Sequence, residues 1–131
     1  MTDFSSPLDA VEAVIADYFT AVTAQDVSLL ENLFTPDAVL ESGATYLEGR
    51  DEVLNYYISN TFTFPDFQPT PGPLTIEDDG RRVSVDIEVR LGGHTSRVHD
   101  VFELVDGRIR RITITGFDDA LRTADRSAPE S

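Results

Sequence analysis

The sequence has no cysteine. That excludes disulfides, thiolate metal sites and a cysteine nucleophile. It is also poor in cations: 10 Lys and Arg residues stand against 24 Asp and Glu, for a formal net charge of -14. Nucleic acids and anionic membranes are held by clustered positive charge, so neither is an expected partner. No run approaches the roughly 20 apolar residues that cross a bilayer. The stretch Met1 to Pro7 is short and polar, with no signal-peptide pattern. A cytoplasmic protein is the expectation. A Gly-rich phosphate loop and a Gly-x-Ser-x-Gly elbow are both missing. The two histidines, His94 and His99, have no cysteine near them. Metal ligation needs three or four convergent groups, so neither a metal nor another cofactor is expected.

What is present fits one domain. A chain of 131 residues that is 40% hydrophobic has the size and composition of a single globular unit. Ser6-Pro7 signals a helix start. Leu8, Val11, Ile15, Tyr18 and Val22 then recur at helical spacing, which predicts a helix from Pro7 to Ala24. Asp26 caps a second, short helix carrying Leu29, Leu30, Leu33 and Phe34, which Thr35-Pro36-Asp37 ends. Ala38 to Glu41 reads as a short strand. Gly43 and Gly49 bracket a turn-rich link, and Gly49-Arg50 opens a third helix containing Val53, Leu54, Tyr57 and Ile58. The segment Phe64 to Pro73 is too rich in proline for a central strand and reads as an extended loop.

The second half is all strand. Leu74 to Glu77 leads into a turn at Asp78-Asp79-Gly80. Val83, Val85, Ile87, Val89 and Leu91 alternate with polar residues, a period of two. Gly92-Gly93 is a hairpin turn. A strand returns from His94 to Val105, and Asp106-Gly107 turns the chain into Arg108 to Phe117. Helices first and a meander last predict an α+β fold with the helices on one face of a mostly antiparallel sheet.

The hairpin fixes a register. Leu91 opposes His94, Ile87 opposes Val98 and Val85 opposes Asp100, and partners point to the same side. One face then carries Val83, Val85, Ile87, Val89, Leu91, Val98, Asp100, Phe102 and Leu104. Asp100 is the only ionisable group in that stripe. Desolvation there raises a carboxyl pKa and keeps the acid neutral near pH 7. The register alone leaves two readings open: a neutral acid lining a pocket, or an aspartate that caps a loop or pairs with an arginine. A slip of one residue would move Asp100 to the solvent face. His99 falls on the outer face. Phe62, Phe64 and Phe67 either wall a pocket mouth or cover the core.

Over residues 8–118 the chain resembles the ketosteroid isomerase and SnoaL-like polyketide cyclase group of the nuclear transport factor 2-like superfamily. The stretch Arg97-Val98-His99-Asp100-Val101, followed by Gly107-Arg108-Ile109, resembles the isomerase strand with the oxyanion-hole aspartic acid. Tyr18 and Asp26, eight apart, match the oxyanion-hole tyrosine and the aspartate opening the next helix. Gly49-Arg50 and Tyr57 match the glycine-arginine turn and a supporting tyrosine. The resemblance implies a cone-shaped α+β barrel and a Tyr18–Asp100 pair donating to one substrate oxygen. A neutral acid beside a tyrosine is the known ketosteroid isomerase arrangement.

There are departures. Ser42 stands where the isomerases carry their general base, and Phe34 stands where some carry a third tyrosine. Glu41, next to Ser42, is the candidate base if a bulge turns it inward. Limonene epoxide hydrolases, another related type, use an Arg-x-Asp strand motif. Ser84-Val85-Asp86 lacks its arginine and Thr115 stands at the last-strand aspartate position, so that activity is not expected. The expectation is therefore a small isomerase or cyclase, one domain over 1–118 with a polar tail over 119–131. Its substrate is a hydrophobic carbonyl compound, polyketide- or terpenoid-like. Tyr18, Asp100 and Glu41 are its catalytic candidates, and Tyr57, Phe34, Ser42, Val85, Ile87, Val98, Phe102, Ile112 and Ile114 its substrate-binding ones. The alternative is a ligand-binding or dimerisation module without chemistry. A homodimer through the outer sheet face is expected in either case.

Overall fold

The computed structural model of the protein describes residues 7–117. The helix-cap reading of Ser6, the last residue of the 1–118 domain and the 119–131 tail lie outside the described residues. Three helices pack on one face of an open, six-stranded mixed sheet. Helix α1 (Pro7–Ala24) and helix α2 (Val27–Leu33) come first, then strands β1 (Phe34–Ser42) and β2 (Thr45–Glu48) and helix α3 (Arg50–Ser59). Strands β3 (Gln68–Glu77), β4 (Arg82–Leu91), β5 (His94–Val105) and β6 (Arg108–Thr115) follow. The sheet order is β2-β1-β6-β5-β4-β3. All pairs are antiparallel except β1 with β6.

The first helix has the predicted bounds, and it buries Val11, Ile15, Tyr18 and Val22. Asp26 caps α2, its carboxylate accepting from the Leu29 amide at 3.1 Å. The second helix stops one residue earlier than expected. Phe34 is strand rather than helix, and the strand after it is longer than Ala38 to Glu41. Pro36 explains both: it forces extended backbone before it and cannot donate to a ladder. The β1–β6 register accordingly breaks between Phe34 and Val39. The supposed link between Gly43 and Gly49 contains β2, a hairpin partner of β1. The proline-rich segment is also partly strand. Gln68 to Pro73 continue β3 on the sheet edge, with a register break between Pro71 and Leu74. An edge is where a strand tolerates missing donors.

The β4–β5 register is the predicted one: Leu91 opposite His94, Ile87 opposite Val98, Val85 opposite Asp100. The stripe from Val83 to Leu104 faces the helices and is buried. The opposite face carries a row of alternating charge. Glu77 on β3 meets Arg82 on β4, Arg82 meets Glu103 on β5, Glu103 meets Arg111 on β6, and Arg111 meets Glu41 on β1. His99 lies on this outer face too, bonded to Asp86 at 2.8 Å.

Strand β6 ends two residues before the predicted Phe117, at a glycine. Gly116 has φ +96°, and a Cβ there would sit 2.9 Å from the Arg97 carbonyl oxygen. This close approach to β5 lets Phe117 turn back onto the core, where it is buried. Gly116→Ala is expected to cost about 1–3 kcal/mol of stability from backbone strain and the clash. Urea unfolding measures it.

Candidate functional site

Asp100 stands in the middle of β5 and is 3% exposed. Its cross-strand partners on the same face are Val85 and Ile114. Its Oδ1 is sealed from solvent and has no hydrogen-bond partner among the described residues. An ionised carboxylate in that setting would be prohibitively costly. Desolvation raises the Asp100 pKa from 3.8 to about 8, so the group is a neutral carboxylic acid at pH 7. The two sequence readings are thereby separated: Asp100 caps no loop and has no ion-pair partner among the described residues.

Two tyrosines complete the polar centre. Tyr18, on the inward face of α1, and Tyr57, on α3, join hydroxyl to hydroxyl at 2.6 Å. Both are buried. Burial is the main force raising both phenol pKa values, and the nearby Asp100 adds to it. A hydroxyl pair shares one proton in its bond, so the pair keeps one O–H to offer elsewhere. Phe34 and Phe102 pack behind Tyr18, with ring centroids 6.4 Å and 5.0 Å away. They fix its ring rather than face the pocket.

These groups border one pocket. Tyr18, Tyr57, Asp100, Ile87, Val98 and Ile114 line it as expected. Phe34, Ser42, Val85, Phe102 and Ile112 do not; they lie in the packed layer around it. Sequence reasoning missed Phe19, Val22, Tyr56, Thr61, Pro69, Val89 and Phe117 as lining residues. Of the phenylalanines left open, Phe67 lines the pocket, whereas Phe62 and Phe64 pack against the core. The free volume is about 30 Å³, room for one or two waters. Any larger guest must be thin or must part the walls.

One wall comes from the aromatic segment after α3, through Thr61 and Phe67. Asp66 ties it to the β4–β5 hairpin, accepting from the Gly92 and Gly93 amides at 3.0 and 2.8 Å. Those two bonds, Gly93 first, hold its pKa below the usual carboxylate value. No sequence signal pointed to this tie.

Glu41 is not brought to the pocket. Alternation along β1 turns it to the outer face, where its carboxylate binds Arg111. The register break that could have rotated it lies earlier, between Phe34 and Val39. Ser42 does point inward and is fully buried. It receives a long hydrogen bond, 3.4 Å, from the Tyr56 hydroxyl. Among the described residues the pocket lining therefore holds one carboxyl, Asp100, and no second acid.

The profile of the SnoaL-like domain family matches residues 15–112. Among solved structures, the chain is similar to a proposed polyketide cyclase of Sinorhizobium meliloti. The identity is 26% and the TM-score 0.70, over 78% of this chain and 93% of the other. It is equally similar to an epoxide hydrolase/cyclase-like enzyme of pyran ring formation in the polyether salinomycin. That match has 26% identity and a TM-score of 0.69, over 81% of this chain and 89% of the other. A proposed ketosteroid isomerase of Kribbella flavida shares the fold at 22% identity and a TM-score of 0.72, over 82% and 78%. Comparison with curated proteins gives no match.

Proposed function

The chain belongs to the SnoaL-like domain family, and on that premise we propose that it is a small isomerase or cyclase acting on a hydrophobic carbonyl compound. The observation that carries this reading is the unpartnered, neutral carboxyl of Asp100 facing an apolar pocket. A neutral acid donates to a carbonyl oxygen and stabilises charge developing on it. With a pKa of about 8, the same group gives up its proton readily and takes one back near neutral pH. Tyr57 donating to Tyr18 would leave the Tyr18 proton free for the same oxygen.

One class of carbonyl chemistry is closed off by composition. All the cations of this chain are arginines, with no lysine, so no side-chain amine can form a Schiff base. With Glu41 held by Arg111 on the outer face, Asp100 is the one carboxyl lining the pocket among the described residues. This favours reactions that one acid can run, such as an enolisation or a ring closure. The names of the two relatives at 26% identity support the cyclase side.

A second reading, a binding module without turnover, draws on the slender cavity and on Ser42 in the base position. One measurement separates the two. Titration with flat aromatic ketones, followed by the infrared carbonyl band, should show binding and a shift to lower frequency. Tyr18→Phe should weaken that binding about fivefold, the worth of one neutral hydrogen bond. Unchanged affinity in both Tyr18→Phe and Asp100→Ala would end the donor reading. Binding without any proton exchange on the ketone would select the module.

A further inference from the structure

Asp100 is not alone in lacking a partner. Thr61 is 1% exposed, and its Oγ1 is sealed from solvent with no hydrogen-bond partner among the described residues. Its side chain lines the same pocket as Asp100. Threonine hydroxyls normally bond to nearby backbone. Thr63, in the same single turn of 3₁₀ helix, does so, donating to the Asn60 carbonyl at 2.7 Å. Thr61 makes no such bond and instead leaves its hydroxyl without a partner at the pocket that Asp100 also lines. A buried hydroxyl without a partner destabilises the fold unless something else satisfies it. A substrate with one carbonyl would answer Asp100 and leave Thr61 as it is.

We propose that Thr61 is a specificity-determining residue that binds a second oxygen of the substrate, so the substrate class is a flat, apolar carbonyl compound carrying a hydroxyl or a second carbonyl. This rests on the carbonyl-binding reading of Asp100. The hydroxyl can donate to a carbonyl or accept from a hydroxyl, so either oxygen function fits. Flatness follows from the small free volume and from the six aromatic rings among the pocket's walls. A site that expects a hydrogen bond penalises the analogue lacking it, because its own polar group stays unpaired.

The test uses 1-indanone and its four ring-hydroxylated derivatives, titrated calorimetrically into the full chain. At least one hydroxylated derivative should bind about tenfold more tightly than 1-indanone, the margin of one added, well-placed hydrogen bond. Thr61→Val should erase that gain, so that 1-indanone and the hydroxylated derivative bind this variant equally, and Thr61→Ser should retain it. Thr61→Val keeps the side-chain shape, so its thermal midpoint should equal or exceed that of the parent. If 1-indanone binds but no derivative gains, or the gain survives Thr61→Val, the role of Thr61 is overturned and the Asp100 reading stands. If 1-indanone does not bind the parent protein, both fall.

Discussion

Replacing Asp100 by asparagine should make the protein more stable, and increasingly so as pH rises from 4 to 8. The folded pKa is about 8 against an ordinary 3.8. Above pH 4 the unfolded chain ionises this group while the folded chain still holds its proton. The unfolded state then binds fewer protons, so stability falls with rising pH. The contribution of the neutral acid is fully present below the unfolded pKa and is lost by the time pH passes the folded one. Each pH unit costs about 1.4 kcal/mol, so the whole window is worth on the order of 5 kcal/mol. Asparagine has the same shape and does not titrate. The other carboxylates are common to both proteins and cancel in the difference. Urea unfolding of the pair at intervals between pH 4 and 9 reads the slope directly. A flat difference would mean that the carboxyl is ionised or paired in the folded state, and the donor role would go with it.

The second large effect is on chemistry. Asp100→Ala should slow exchange of the α-protons of a bound aromatic ketone for deuterium by about 10²–10³-fold, the range for loss of one preorganised donor. Proton NMR in heavy water follows this without knowledge of the natural substrate. Asp100→Asn discriminates further, because an amide still donates a hydrogen bond but cannot transfer its proton. Exchange as slow as in Asp100→Ala would make Asp100 the acid and base. Exchange retained in Asp100→Asn would reduce its role to polarisation. In the parent protein the rate should change near pH 8, where the acid form titrates.

The sheet was readable because its information is local. Nine residues of strict alternation and two glycines between strands fix the β4–β5 pairing, and with it the inward aim of Asp100. Where the pattern is short or the residue ambiguous, reading fails. The strand Thr45–Glu48 has four residues, none buried, so its period of two is too brief to distinguish from a link. Gln68–Pro73 looked like loop because three prolines forbid a central strand, yet the sheet edge accepts them. Phe34 is apolar at a boundary where either helix or strand would bury it. The site divides in the same way. Asp100 came from the register, and Tyr18 and Tyr57 from the resemblance to the isomerases. Thr61 and Asp66 act through contacts across 26 or more residues, as with Gly92 and Gly93, or through the absence of a contact. Single polar residues carry no period. Glu41 failed for a related reason: its true partner, Arg111, is 70 residues away.

The row of charges across the back of the sheet bears on how the acid comes to lie inside at all. Each ion pair is partly exposed and on its own contributes little. Together, Glu77, Arg82, Glu103, Arg111 and Glu41 couple five strands in one alignment. A misaligned competitor, shifted by one position at β5, would thrust Glu103 into the hydrocarbon interior and take from Arg82 and Arg111 one of their two partners each. That outcome is far costlier than the pairs are valuable. The polar rear thus acts as a proofreader for the greasy front, discarding a misthreading that would present Asp100 to water.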